Sequence, residues 1–506
     1  MNVPGMLRRR ALREDLEKYH ETNKTGKVKP DNRYFGDTPV LAVFADGFEI
    51  KPEFLMICDL GKWKEPGWKP PESKEFKQHD DTNYTTQVAV DPVLGRLVFL
   101  TGPQPTSVEV SYSYGFSGDM GGGPYERELM VAGDENDVWN KAVSMQDNNS
   151  KLNADYDSLS KALTDWMDPE NGNRSNAIIT ITDNGTYELN NNNTTVDLLA
   201  GRFLVIQANS GNQPTLRIID DEGDVATLPI GGGEGSDARL ILSGLLIEGG
   251  IDVTGQCLEL VQIVHSTLVP AIRPSVTVGV SAPLAHMNIK VEIDHSITGS
   301  LCMPAEIKGL RVLDSIIDSP DREQFAISDG MEVPGPSTTI ERTTVFGKVH
   351  VKEMTSASNV IFTDTVTVDH RQQNCVRYSF VPDGSQTSRR YRCQPDLEIA
   401  KQIEDEENKA QAENISFDTS GRELIRTEVV SRLVPAFTSI QYGDPDYGQL
   451  HTSCPEQIRT GADDGSEMGA FHHLKQPQRE ANLRAALNEY LRFGLEAGIL
   501  YVNEDK

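Results

Sequence analysis

The chain has 506 residues, enough for several ordinary domains or for one long repeat domain with smaller ones attached. Its 76 acidic against 48 basic residues leave a net charge of −28, a surface that repels phosphates and anionic lipid, so no nucleic-acid partner is expected. Six cysteines are too few for a disulfide framework, and no apolar run of 18 residues forms a transmembrane span.

Residues 1–38 read as a polar lead-in with one short helix, an arm that docks on a neighbour. Their start, "MNVPGMLRRRALREDLEKYH", passes from a basic cluster into a charged helical pattern and lacks the apolar stretch of a secretory signal. Residues 39–117 read as a small β domain. "PVLAVFADGFEI" carries an Asp46-Gly47 hairpin turn, and "VAVDPVLGRLVF" reads as strand, turn and strand. "VEVSYSY" alternates as a half-buried strand does.

The span 118–168 is assigned to a glycine-rich hinge and a capping helix. "GFSGDMGGGP", 115–124, invites a phosphate-loop reading, but no Lys-Ser/Thr follows and no compact βαβ unit surrounds it, so a flexible hinge is expected. From about residue 150, Leu152, Tyr156, Leu159, Leu163 and Trp166 form one apolar stripe that Asp168-Pro169 ends. Such a helix in front of the β-rich "NAIITITDNGTYE" would plug the first turn of a coil and cover its open edge.

Six segments then echo one another: "ILSGLL" at 241, "IVHSTL" at 263, "IDHSIT" at 293, "VLDSII" at 312, "IERTTV" at 340 and "ASNVIF" at 357. Their third-place residues are Ser243, His265, His295, Asp314, Arg342 and Asn359, spaced 22, 30, 19, 28 and 17 apart. A helical solenoid would keep a near-constant period and 3.6-residue stripes. Short strands joined by loops that swell on one side instead predict a right-handed parallel β-helix of the pectin-lyase type over 169–372. Ile263, Ile293, Val312 and Ile340 are expected to stack inward as one ladder, and Leu268, Ile317, Val345 and Phe362 as another. The polar column has two readings: His265, His295 and Asp314 converge on a metal or substrate, or all six residues sit at a bend. The varied occupants favour the bend.

Residues 373–396 read as a basic hairpin about Pro382-Asp383-Gly384, with Cys375 and Cys393 facing each other as a disulfide or as metal ligands with Cys454. Without a Cys-x-x-Cys pair the metal signal is weak. Arg377, Arg389, Arg390 and Arg392 make this the most basic stretch, suited to an acidic partner or an anionic sugar, or else to the chain's own carboxylates, which the reading favours. Residues 397–506 read as a charged linker or helix and a terminal helix. Its Leu483, Leu487, Tyr490 and Leu491 would fold back on the coil or a partner.

"VAVDPVLGRLVF", "VSYSYGFSGDMGGGPYER", "CVRYSFVPDG" with "RRYRCQP", and "GADDGSEMGAFHHLKQPQREANLRAALNEYLRFGLEAGILYV" resemble a bacterial family of β-helical proteins over roughly residues 40–505. Its members accompany phage-tail-like, contractile-injection gene clusters. The resemblance implies a non-enzymatic structural or adhesive component of a tail-like particle, without catalytic, metal or cofactor residues to carry over. Its partners would be other particle proteins and a cell-surface polysaccharide, with oligomerisation open. The chain would be made in the bacterial cytoplasm, incorporated into the particle and released by lysis. The alternative is a polysaccharide lyase or glycoside hydrolase working along the coil, with Asp220, Asp221, Asp314, Asp318 and Glu341 as nearby carboxylates.

Overall fold

The computed structural model describes residues 9–25, 34–35, 39–62, 67–77, 83–102, 104–112, 119–129, 138–145, 154–194, 196–232, 235, 237–254, 258–270, 274–278, 288–330, 333–444 and 447–490. The chain forms two compact units, 1–117 and 118–506.

In the first unit, the expected arm is core. Helix α1, Arg9–Thr25, buries Leu12 and Leu16 against Leu41, Val43, Leu55, Ile57, Val88 and Val90. Arg9 also donates to both oxygens of the fully buried Asp91 carboxylate, each at 2.9 Å. The Asp46-Gly47 hairpin forms as expected, with both residues at positive φ, and Val88–Asp91 pairs antiparallel with Arg96–Phe99. Strand Val108–Tyr112 pairs with Leu41–Ala45 but ends its sheet, so Val108 and Val110 stay exposed where half-burial was expected.

The second unit is a parallel β-helix. Among the described residues, three parallel sheets of eleven, eight and eight strands run through it, each strand pairing with its counterpart one turn of the chain later. The coil extends beyond the expected 169–372. It begins at Trp139–Val143, which pairs parallel with Ala177–Ile181, and its first sheet ends at Arg389–Tyr391. Helix α2, Leu159–Met167, plugs the first turn as expected, with Leu159, Ala162, Leu163 and Trp166 buried in the main core. It starts later than the stripe implied. Tyr156 instead bridges to Val143 in extended chain, and Leu152 lies outside the described residues.

The first ladder forms as expected. Ile263, Ile293, Val312 and Ile340 are successive register partners, each at most 1 % exposed. In the second, Ile317, Val345 and Phe362 stack in register, but buried Thr298 stands between Ile317 and Leu268. One echo is out of step by a residue: Leu242, not Ile241, lies opposite Ile263, so the bend residue of that turn is Gly244 and not Ser243.

The basic stretch is no hairpin. Cys375–Arg377 and Arg389–Tyr391 pair parallel, because the chain between them completes another turn, with Phe380 and Gln386 bridging to the neighbouring strands. Cys375 and Cys393 therefore occupy different positions on the coil, and both, like Cys454, are free thiols.

After the coil come α3, Asp396–Glu413, and α4, Thr419–Arg432, then the short α5, Glu456–Arg459. They bury Ile399, Val429, Leu433 and Ile458 with Ile361 of the second sheet and with Phe380, which bridges to it. The expected fold-back of the last helix, α6, Gln476–Tyr490, is not seen: Leu483 is half exposed, Leu487 is not buried, and Leu491 lies outside the described residues. No helix among the described residues is long and apolar enough to cross a membrane.

Candidate functional site

The recurring polar residues line one edge of the coil, where the first sheet turns into the second. Gly244, His265, His295, Asp314, Arg342, Asn359, Tyr378 and Arg392 all have positive φ, between 42° and 75°. A single left-handed residue makes the chain turn sharply, and Gly, Asn, Asp and His accept that conformation most readily. The bend keeps its hydrogen bond: His265 N donates to Asp294 O at 3.0 Å, His295 N to Leu313 O at 3.2 Å, and Asp314 N to Glu341 O at 3.1 Å.

The next residue explains the "HS" and "DS" pairs. Ser266, Ser296, Ser315, Thr343 and Ser379 are fully buried. Each hydroxyl donates to the carbonyl two residues back, as Ser296 Oγ does to Asp294 O at 2.7 Å. The serine hydroxyls also accept an amide from the preceding turn: Leu245 N meets Ser266 Oγ, Ser266 N meets Ser296 Oγ, Ser296 N meets Ser315 Oγ, and Val360 N meets Ser379 Oγ, at 3.0–3.2 Å. Small hydroxyls thus satisfy backbone groups that the bend would otherwise strand inside the core.

Outside, the bend residues bind one another and two passing segments of the same chain. His295 Nδ1 lies 2.7 Å from Asp294 Oδ1, and Arg342 donates to both oxygens of Asp314 at 2.7 and 2.8 Å. The Asp294 partner raises the His295 pKa. Burial drives His265 down to about 4, helped by the neighbouring His295, whose ring centre is 4.9 Å away.

Tyr125 donates to Gly121 O at 2.6 Å, so its contact with His265 Nδ1 at 3.0 Å is as an acceptor, which assigns the proton of neutral His265 to Nδ1. Arg127 lies over the Tyr125 ring and above Gly244, where a Cβ would stand 2.7 Å from its Nε. Glycine at this turn gives the Arg127 guanidinium room and accepts the positive φ.

Residues 119–124, expected to belong to a flexible hinge, instead form with 125–129 a strap laid along the coil. Gly121 N donates to His295 O at 2.7 Å and Gly122 N to Thr267 Oγ1 at 2.9 Å. A Cβ on either glycine would fall 2.4 Å from Thr267 Oγ1 or Leu245 O, so the approach requires both. Residues 115–118 lie outside the described residues. A second strap, 463–475, covers later turns. Gly469 N donates to Asn359 O at 2.8 Å, Ala470 N donates to Thr344 Oγ1 at 3.0 Å, and Asp463 exchanges two hydrogen bonds with the Asn359 amide. Met120, Ile316, Phe346, Tyr447, Phe471 and Leu474 close an apolar layer under the straps.

Of the suspected set His265, His295 and Asp314, only the last two come together, with Asp294 in place of His265: Asp294, His295 and Asp314 offer ligand atoms within 4.8 Å of one another. Its chemistry suits an ion poorly, since Arg342 occupies both Asp314 oxygens and brings its own positive charge. The other carboxylates are equally engaged. Asp318 accepts from Tyr447 at 2.5 Å and pairs with Arg322, burial holding its pKa above the ordinary range. Asp221 accepts from Asn190 and Asn192, and Asp220 from the amides of Glu222 and Asp224. A small void inside the coil, lined by Leu189, Ile206, Leu216, Ile230, Leu240 and Ile251, is wholly apolar.

Of the four arginines, Arg390 alone meets a carboxylate among the described residues, Asp396 at 3.2 Å. Pairing with the chain's own acids, the favoured expectation, therefore accounts for one of them. The first strap was expected as a hinge and the second as part of the C-terminal linker and helical region; seen against the coil, "GDMGGG" and "SEMGAF" share an acidic-Met-Gly-small signature.

Comparison with protein-family models, curated proteins and solved structures returns no match to this chain.

Proposed function

We propose that the chain is a non-enzymatic structural component of a phage-tail-like contractile particle, its β-helix serving as a stiff spacer. The observation that carries the non-enzymatic part is the state of the bend column. The residues best suited to acid-base or metal chemistry are hydrogen-bonded to one another, and a strap of the same chain binds His265 and the His295 carbonyl. The first sheet alone has eleven strands, so the stack is about 48 Å tall at the usual strand spacing. The particle assignment rests on the sequence resemblance. A β-helix also hosts polysaccharide-cleaving enzymes, but fold does not confer the activity, and the carboxylates near the coil are held in place by partners.

Two measurements test the reading. Tagged protein expressed in its own cell is expected to sediment with sheath, tube and baseplate proteins. Incubation with anionic polysaccharides is expected to release neither reducing ends nor unsaturated products. A freely soluble pool with no particle-bound fraction, or turnover of any such polymer, would overturn it.

A further inference from the structure

The coil gathers the basic residues on its last two turns. Val376 is buried inside, so Cys375 and Arg377 face out, and the register sets Cys375 beside Arg389 and Arg377 beside Tyr391. Neighbouring strands lie about 4.8 Å apart, and alternate residues of one strand about 6.6 Å apart on the same face. Arg377 therefore stands next to Tyr391 across the strands, and Arg389 next to it along the strand. Arg392, on the bend, places its guanidinium 5.8 Å from the Tyr391 ring centre. Tyr378, the bend residue one turn earlier, meets that ring edge-on at 5.8 Å.

Arg377, Arg389 and Arg392 are exposed, and Tyr391 is 50 % exposed. In a chain with 76 acidic residues, no carboxylate among those described lies within ion-pair reach of these three arginines. Nearby acids are committed elsewhere: Glu353 to Asn374 and Ser337, Asp383 to Arg426, Asp396 to Arg390. Protection of the final edge strand against pairing accounts for charge at this place. Any charged residue would serve that end, and the tyrosine pair would be superfluous.

We propose that this patch binds an anionic carbohydrate, a short run of carboxylate-bearing sugar rings. The apolar face of one ring rests on Tyr391, and carboxylates on the ring edge enter the guanidinium forks. A flexible acidic peptide matches the arginines but has no use for the aromatic plate. A long polyanion meets the repulsion of the −28 surface. Screening over about 8 Å at physiological salt confines the attraction to the few rings at the patch, so the ligand is an oligosaccharide or a chain end. The proposal extends the structural reading by naming what this end of the coil holds, and stands apart from it.

The test is calorimetric titration of the full chain at about 0.15 M salt with oligogalacturonate, neutral dextran and polyglutamate. Oligogalacturonate is expected to bind and dextran not. The double variant Arg389→Gln/Arg392→Gln should lose roughly tenfold in affinity, and Tyr391→Ser roughly fivefold. These side chains are exposed, so the melting curves should stay unchanged. Absence of oligogalacturonate binding overturns the proposal. So does polyglutamate binding as tightly and indifferent to Tyr391→Ser, which would make the patch a surface for acidic protein. Particle association, measured separately, reports only on the structural reading.

Discussion

Gly121 and Gly469 donate to equivalent carbonyls, those of His295 and Asn359, each the bend residue of its turn. In both straps the next amide goes to a threonine hydroxyl one turn earlier, Thr267 or Thr344. Both glycines also lie against an isoleucine of the later turn, Ile297 or Ile361. Asp119-Met120-Gly121-Gly122 and Glu467-Met468-Gly469-Ala470 thus dock in one register at two places on the coil. The strand face recognises a local signature, and the chain uses it twice.

That equivalence predicts equivalent damage. Gly121→Ala and Gly469→Ala each place a methyl 2.4 or 2.6 Å from a threonine hydroxyl, at a φ that disfavours a side chain. Each should cost about 1–3 kcal/mol. Hydrogen exchange should show faster amide exchange confined to the strap concerned, with the ladder strands still protected.

The buried hydroxyl series predicts that Ser296→Ala is worse than a one-atom change suggests. It leaves the buried Ser266 amide without its acceptor. A loss of about 1–3 kcal/mol is expected in urea unfolding, and Ser315→Ala should behave alike through Ser296 N.

Thr298 predicts the opposite sign. Its hydroxyl is buried in the second ladder and has no hydrogen-bond partner among the described residues. Thr298→Val, which keeps the shape and removes the stranded oxygen, should raise stability by about 1 kcal/mol in the same assay.

Glu467 gives the second strap a pH dependence. Burial raises its pKa to about 8, from an ordinary 4.5. The folded chain therefore holds this proton where the unfolded chain has released it. The contribution to stability is complete below pH 4.5, declines as pH rises, and is lost above about 8. Glu467→Gln should match the native protein near pH 4.5 and exceed it by a few kcal/mol, to order of magnitude, near pH 8. Melting points across that range check the sign.

The coil was legible because its interior demands repetition: Ile263, Ile293, Val312 and Ile340 carry one requirement, burial, at one register position. Ser243 is not the bend residue, because its turn bends at the next residue, a glycine beneath Arg127, a contact with no local signal. The supposed hairpin at 375–393 failed for a related reason. Pro382-Asp383-Gly384 marks a change of direction, which serves a corner of a coil as well as an antiparallel return. The straps were unread because extended segments without periodicity show no pattern until the surface they lie on is known. The bend column was visible as polar residues, but only the backbone angles show why histidine, aspartate, arginine and asparagine all serve there.

On the function proposed above, the bend column shapes the chain and performs no chemistry. The double variant His265→Asn/His295→Asn tests it most directly, since asparagine accepts the same positive φ and cannot act as a general base. Measured side by side for melting point and for particle incorporation, it should stay within a few degrees of the native protein and assemble to the same level. A variant that folds normally yet fails to assemble, or that abolishes a carbohydrate-cleaving activity of the native chain, would contradict the account.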